Sequence, residues 1–212
     1  MNLNDFLIPT GDVCRRPGPF DRIVLSSRVR LARNLQDTPF PGRANKSERQ
    51  NLLQTMKPVI ESLRSMKEGF SEELSKLKRL EKQILVERHL ISRELASKSQ
   101  GSAIVLSMDE TFCVMINEED HLRMQAILPG LQIKEAWKSM NKMDTMLESK
   151  LPIAFSSDFG YLTACPTNLG TGIRVSAMLH LPGLVMAEHM QQTITAVNKL
   201  GLAVRGLYGE GT

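Results

Sequence analysis

Residues 160–181 constrain the fold more than any other stretch of this chain. Between Gly160 and Arg174 they hold a thiol at Cys165, the turn formers Pro166, Asn168, Gly170 and Gly172, and an arginine. Proline presets φ, while asparagine and glycine tolerate left-handed backbone, so the segment reads as strand, tight turn, strand. After the turn, Ile173, Val175, Ala177, Leu179 and Leu181 alternate with Arg174, Ser176, Met178 and His180, the period of two that marks a strand. Arg174 therefore belongs to its polar face. Taken alone, Cys165 fits an inert thiol, since free cysteine packs as a small hydrophobe.

A second strand carries two more arginines. Ile23, Leu25, Ser27, Val29 and Leu31 share one face, and Val24, Ser26, Arg28 and Arg30 share the other. Two guanidinium groups on one face repel each other unless an anion lies between or above them, and their planar forks suit phosphate oxygens. A pair of surface arginines with ordinary acidic neighbours is the plain alternative. A third signal is the acidic run Glu118-Glu119-Asp120 within Asn117 to Arg123, after which Leu122, Met124, Ala126 and Leu128 alternate with Arg123 and Gln125. This predicts a returning strand with Arg123 on its polar face.

The rest of the chain supplies punctuation and helices. Residues 1–20 contain Pro9, Gly11, Pro17, Gly18 and Pro19 and read as an N-terminal arm, with the domain proper at 21–212. Asn45 with Glu48 predicts a capped helix whose apolar face is Leu52, Leu53, Met56, Val59, Ile60 and Leu63, kinked at Pro58. A charged helix is expected over 71–89, a hairpin over 103–107 and 112–116, and an amphipathic helix over 131–150 with one acidic interruption at Asp144. Its Trp137 reads as structural. The spacing after Pro182 and Gly183 predicts a helix with Val185, Met190, Ile194, Val197 and Leu200 inward, ending at Gly201, then a short strand over 202–205.

Composition excludes several classes. The 212 residues suffice for one sizeable domain, and 42% hydrophobic with 24% charged is ordinary globular content. A net charge of +4 is modest and 5% aromatics are too few for base-stacking platforms, which argues against nucleic acid. No apolar run reaches spanning length, the first ten residues carry no targeting pattern, and three widely spaced cysteines favour a reducing cytoplasm. There is no Walker lysine loop and no third glycine after Gly170-Thr171-Gly172, so any phosphate cradle must be built from arginines.

The stretch around Cys165, the segment from Ser26 to Asn34, and Asn117 to Arg123 resemble, in the same order, three signatures of the phosphagen kinases, which move the γ-phosphoryl of ATP onto a guanidino nitrogen. The resemblance covers about residues 20–212. It implies an α+β fold, an antiparallel β-sheet flanked by α-helices, with which the strands and helices above agree. It implies ATP with Mg²⁺, phosphate contacts from Arg28, Arg30, Arg123, Arg174 and Arg205, with Ser26 in the same segment, and His89 near the adenine. Glu119 and Glu210 would hold the acceptor guanidinium, and Cys165 would lie beside it. No resident metal site is expected.

Within that family, Met115 and Met178 stand where small-guanidine kinases carry a tryptophan and a histidine. Met115 to His121 and Pro129-Gly130-Leu131-Gln132 look instead like the bacterial protein arginine kinases. That branch implies arginine in proteins as acceptor, and as partners an activator protein, the heat-shock repressor and Clp protease clients. A homodimer stays open. The family continues beyond the glycine-rich loop that Arg205 to Thr212 resemble, where this sequence stops, so the chain is expected to be a fragment or a short form, and a non-catalytic binding module and a small-guanidine kinase remain the alternatives.

Overall fold

The computed structural model describes residues 16–206. Six strands form one antiparallel sheet: β1 (Val24–Arg33), β2 (Phe70–Glu73), β3 (Ala103–Leu106), β4 (Phe112–Ile116), β5 (Leu122–Pro129) and β8 (Ile173–Leu179). Their spatial order is β2-β3-β4-β5-β1-β8, so β1 lies between the returning strand and the strand after the Cys165 turn. A small hairpin, β6 (Phe155–Ser156) with β7 (Gly160–Tyr161), stands apart from it.

One face of the sheet is sealed over β3, β4, β5 and β1, while Val175 and Leu179 of the edge strand β8 stay exposed. The Asn45–Glu48 capping box starts α1 (Lys46–Glu61), and Leu53, Met56 and Ile60 bury against Val105, Val114 and Ile116. Pro58 sits in the last turn, and the helix runs on past it. α4 (Ile133–Glu148) brings Ala136, Met140, Met143 and Leu147 to the same core, where Val29 and Leu31 of β1 are fully buried. Trp137 is 40% exposed and lies outside that buried core.

The opposite face is covered only in part. α2 (Arg79–Glu87) and α3 (Arg93–Ser97) pack Leu85 and Leu95 over Ile104, Leu106, Cys113 and Met115. The helix expected over 71–89 is therefore two elements, because Phe70 to Glu73 pair with β3 as an edge strand and Leu74 is buried. Tertiary pairing overrides helix propensity there.

After β8 the expected helix is broken into α5 (Pro182–Met186) and α6 (Met190–Lys199) by Glu188 at φ 58°. Neither helix has a buried residue, and Val185 and Leu200 are exposed. Of the expected face, Met190, Ile194 and Val197 are half-buried, so it is covered only in part. Gly201 is left-handed as a cap requires, whereas residues 202–206 form no strand. No described helix is long and apolar enough to cross a membrane.

Candidate active site

Strand register brings four arginines to the uncovered half of the sheet. On β1, Arg30 faces Gln125 of β5 and Arg174 of β8 across the ladder, and Arg28 faces Ile127 and Ser176. Arg123 lies opposite Ala32 on one side and Met115 on the other. Because cross-strand partners share a face and residues alternate along each strand, Arg28, Arg30, Arg123 and Arg174 all belong to the face away from α1 and α4. Ser26, one step back along the same face, is buried next to the irregular pairing at the start of β1.

The charges strain one another. Burial, and after it the charges of Arg28, Arg123 and Arg174, push the Arg30 guanidinium down to about 9 against the opposing charge of Glu118. Its buried Nε makes no hydrogen bond among the described residues. Arg123 is different. Burial lowers its pKa, but Glu118, with Glu94 and Glu119, more than reverses that; Arg123 Nη1 donates to both Glu118 oxygens at 2.6 and 2.7 Å.

Glu118 is thus a structural anchor that sequence reasoning left undecided. It is 1% exposed, also accepts from Ser92 Oγ, and its backbone carbonyl accepts from Lys98 Nζ at 2.9 Å. Its neighbour Glu119 is exposed and turned to a cavity of about 320 Å³ lined also by Phe40, Gly42, Arg43, Lys98 and Ala164. Burial raises the Glu119 pKa, Asp120 and Glu118 raise it further, and Arg123 and Arg174 pull it back. The acidic turn itself starts from Asn117 at φ 56°, whose Nδ2 donates to the carbonyls of Arg49 and Gly101.

The Cys165 segment folds over the end of β1. Residues Pro166–Asn168 form one 3-10 turn, and Cys165, half-buried, has its Sγ 3.0 Å from Thr167 Oγ1. Arg33, to which no role was assigned from sequence, is buried in a two-point pair with Asp144, Nε–Oδ1 3.1 Å and Nη2–Oδ2 2.6 Å. This accounts for the acidic interruption in α4. The same guanidinium lies 3.4 Å over the Tyr161 ring and donates to the Thr171 carbonyl at 3.0 Å. At Gly172, φ 63°, a Cβ would come within 2.7 Å of Ala32 O and Arg33 Nη1, so only glycine lets the turn close onto β1.

The remaining expected residues vary in how far they are placed. His89 is left-handed at the end of α2, and its carbonyl accepts from Gln125 Nε2 at 3.0 Å, which sets its backbone beside the arginine face. Arg205 is exposed in the irregular segment after α6. Glu210 lies outside the described residues. A larger groove of about 540 Å³, lined by Leu77, Arg79, Lys82, Gln83, Val86, Glu87, Arg93 and Ala96, contains none of the expected site residues. Among the described residues no cluster of His, Cys, Asp and Glu could hold a metal ion.

Residues 51–212 match the family model for the C-terminal catalytic domain of the ATP:guanido phosphotransferases. The chain belongs to that family. It is 51% identical over 198 residues to a protein-arginine kinase of Pelotomaculum thermopropionicum, a match covering 92% of this chain and 56% of that relative. The chain thus spans little more than half the length of the curated relative. The fold superimposes on a duplicated taurocyamine kinase of Schistosoma mansoni with bound transition-state-analogue components, at TM-score 0.80 and 28% identity, over 100% of this chain and 30% of that one. It also superimposes on lombricine kinase at TM-score 0.74 and 26% identity, over 95% and 60%. The antiparallel sheet with flanking helices expected for an ATP:guanido phosphotransferase is the sheet observed. On the open face of that sheet a buried guanidinium keeps an unused donor among like charges.

Proposed function

We propose that this chain transfers the γ-phosphoryl group of ATP to a guanidino nitrogen of arginine residues in proteins. The observation that carries the reading is the convergence of Arg28, Arg30, Arg123 and Arg174 on one open sheet face, with Arg30 driven down to about 9 by burial and by its neighbours. Such a cluster relaxes when an anion of high charge density sits among its members. Phosphoryl transfer needs little covalent work from the protein, so fixed positive charge around the moving phosphoryl is the main contribution. Mg²⁺ would arrive on the nucleotide phosphates, supplying charge neutralisation there.

The acceptor side fits the same chemistry. A guanidinium stays protonated in water, so a carboxylate must align it and take its proton. In this reading Glu119 does this, supported by its place in the cavity that Ala164 also lines. As the N–P bond forms and the bond from phosphorus to the ADP oxygen breaks, the proton leaves the guanidinium for Glu119. Cys165, one residue beyond Ala164, would add polarity beside the acceptor, and His89 would flank the nucleotide. Identity of 51% to a protein-arginine kinase, against 28% to a taurocyamine kinase, favours protein arginine over a small guanidine. Partners in this reading are arginine-bearing proteins of the cytoplasm, among them the heat-shock repressor and Clp clients, with an activator protein.

The test is incubation with Mg²⁺-ATP and an arginine-rich protein, scored for acid-labile phosphoarginine. Product on the protein that disappears with Glu119→Gln supports the reading. Product on free arginine alone moves the acceptor to a small guanidine, and nucleotide binding without product in either assay identifies a binding module.

A further inference from the structure

One carboxylate oxygen ties the two acceptor-side segments together. Asp120 Oδ1 accepts from the backbone N–H of Ala164 at 2.7 Å and from Asn34 Nδ2 at 2.6 Å. Asp120 directly follows Glu119, and Ala164 directly precedes Cys165. The bond therefore fixes the spacing between Glu119 and Cys165, which lie 46 residues apart in sequence (165 − 119) and share no strand ladder.

Asn34, the residue after β1, holds the pin in orientation. Its Nδ2 also donates to the Leu162 carbonyl at 3.0 Å, and its Oδ1 accepts from the His121 N–H at 2.8 Å. The next residue bonds too, Leu35 N–H donating to His121 Nδ1 at 3.0 Å, while His121 Nε2 meets the Pro39 carbonyl at 3.0 Å. Asp120, Asn34 and His121 are 2%, 0% and 0% exposed. Hydrogen bonds to a buried carboxylate are charge-assisted and strongly directional, so this centre resists the sub-ångström drift that an exposed turn would show.

We infer that Asp120, oriented by Asn34, is a positioning residue that sets Cys165 against Glu119 without itself touching substrate. Its catalytic consequence rests on the phosphoryl-transfer reading above, whereas the placement of the thiol can be read without any turnover. Alkylation with iodoacetamide supplies that readout. Cys113 is buried and burial pushes its thiol pKa up, so it reacts slowly; a Cys14→Ser background removes the third thiol, and peptide mass spectrometry confirms the site.

Asp120→Ala is expected to change the Cys165 alkylation rate by at least about threefold, because reactivity follows the local setting of the thiol. In the same variant kcat should fall on the order of 100-fold, the effect of misplacing reacting groups by about 1 Å. KM for ATP should move less than about threefold, since the arginine face is untouched. Asp120→Asn keeps an acceptor oxygen at the pin and should recover most of both. If Asp120→Ala fails to fold, Asn34→Ala reports the same loss of orientation with the carboxylate retained. An unchanged alkylation rate in a folded Asp120→Ala or Asn34→Ala protein overturns the inference, as does an Asp120→Asn protein as impaired as Asp120→Ala. A wild-type chain that makes no phosphoarginine overturns the kinase reading and leaves the thiol comparison to decide this one.

Discussion

The two faces of the central sheet come from the same strands and have opposite fates. Toward α1 and α4, Val29, Leu31, Met124 and Ala126 are at most 1% exposed. One residue out of step, Arg28, Arg30 and Arg123 turn to a face that α2 and α3 cover only over β3 and β4. The boundary is Gln125, which is 2% exposed and donates to the carbonyls of His89 and Leu90. A period-two pattern thus builds the core with half the residues and leaves the other half to converge at a site. On the covered face burial is repaid by packing; on the open face, burial of charge raises free energy that a ligand can lower.

The comparison breaks most severely where the Arg33–Asp144 pair brings charge into the covered side. Asp144→Ala would leave Arg33 buried without its partner and should destabilise the fold by roughly 3–5 kcal/mol, read from urea unfolding. Because Arg33 also holds Tyr161 and the Thr171 carbonyl, the Cys165 segment should become protease-sensitive in that variant. Equal stability to wild type would mean that the pair does not anchor this segment.

On the open face the expectation inverts. Arg30→Met should lower phosphoryl transfer on the order of 10²–10³-fold, as loss of one preorganised charge donor does. Its melting temperature in the absence of nucleotide should not fall. The sign follows from the shift: a guanidinium pushed down to about 9 is disfavoured in its charged form by the fold at every pH below that value, so removing the charge removes a penalty. A large loss of stability would show that Arg30 belongs to the core rather than to a site.

The smallest effect concerns pH. Glu119 has its pKa raised by burial and by Asp120 and Glu118, against Arg123 and Arg174. Its carboxylate form is therefore lost at a higher pH than an ordinary glutamate's as the solution is acidified. The acid limb of the kcat/KM profile should lie above that of an ordinary glutamate, and Glu119→Asp should shift that limb while Glu119→Gln abolishes the activity that defines it. A profile flat down to the ordinary carboxylate range would remove Glu119 from the role of base.

Much of this was legible in local pattern. The strands of Arg28 and Arg30, of Arg123 and of Arg174, the hairpin, and the Asn45 capping box follow from spacings of two to four residues. That local geometry survives whatever the chain packs against. The helix over 71–89 failed for the complementary reason. Residues 71–73 lie within the helix expected from sequence, but β3 offers them a ladder, and the pairing decides. The inward face expected for the helix after Pro182 is met only in part, with Val185 and Leu200 exposed, because a hydrophobic stripe says what must be covered, never by what.

By itself, the sequence determined which residues alternate, where turns close and which chemical groups the chain carries: arginines on polar strand faces, an acidic turn, and a thiol beside a glycine turn. Only the tertiary structure decided how they are used. Glu118 became the partner of Arg123, Asp144 the partner of Arg33 across 111 residues, and Asp120 the link to Ala164 across 44. Backbone periodicity is set by sterics within a few residues, whereas a hydrogen bond between distant segments exists only once sheet order and register have brought its two ends together.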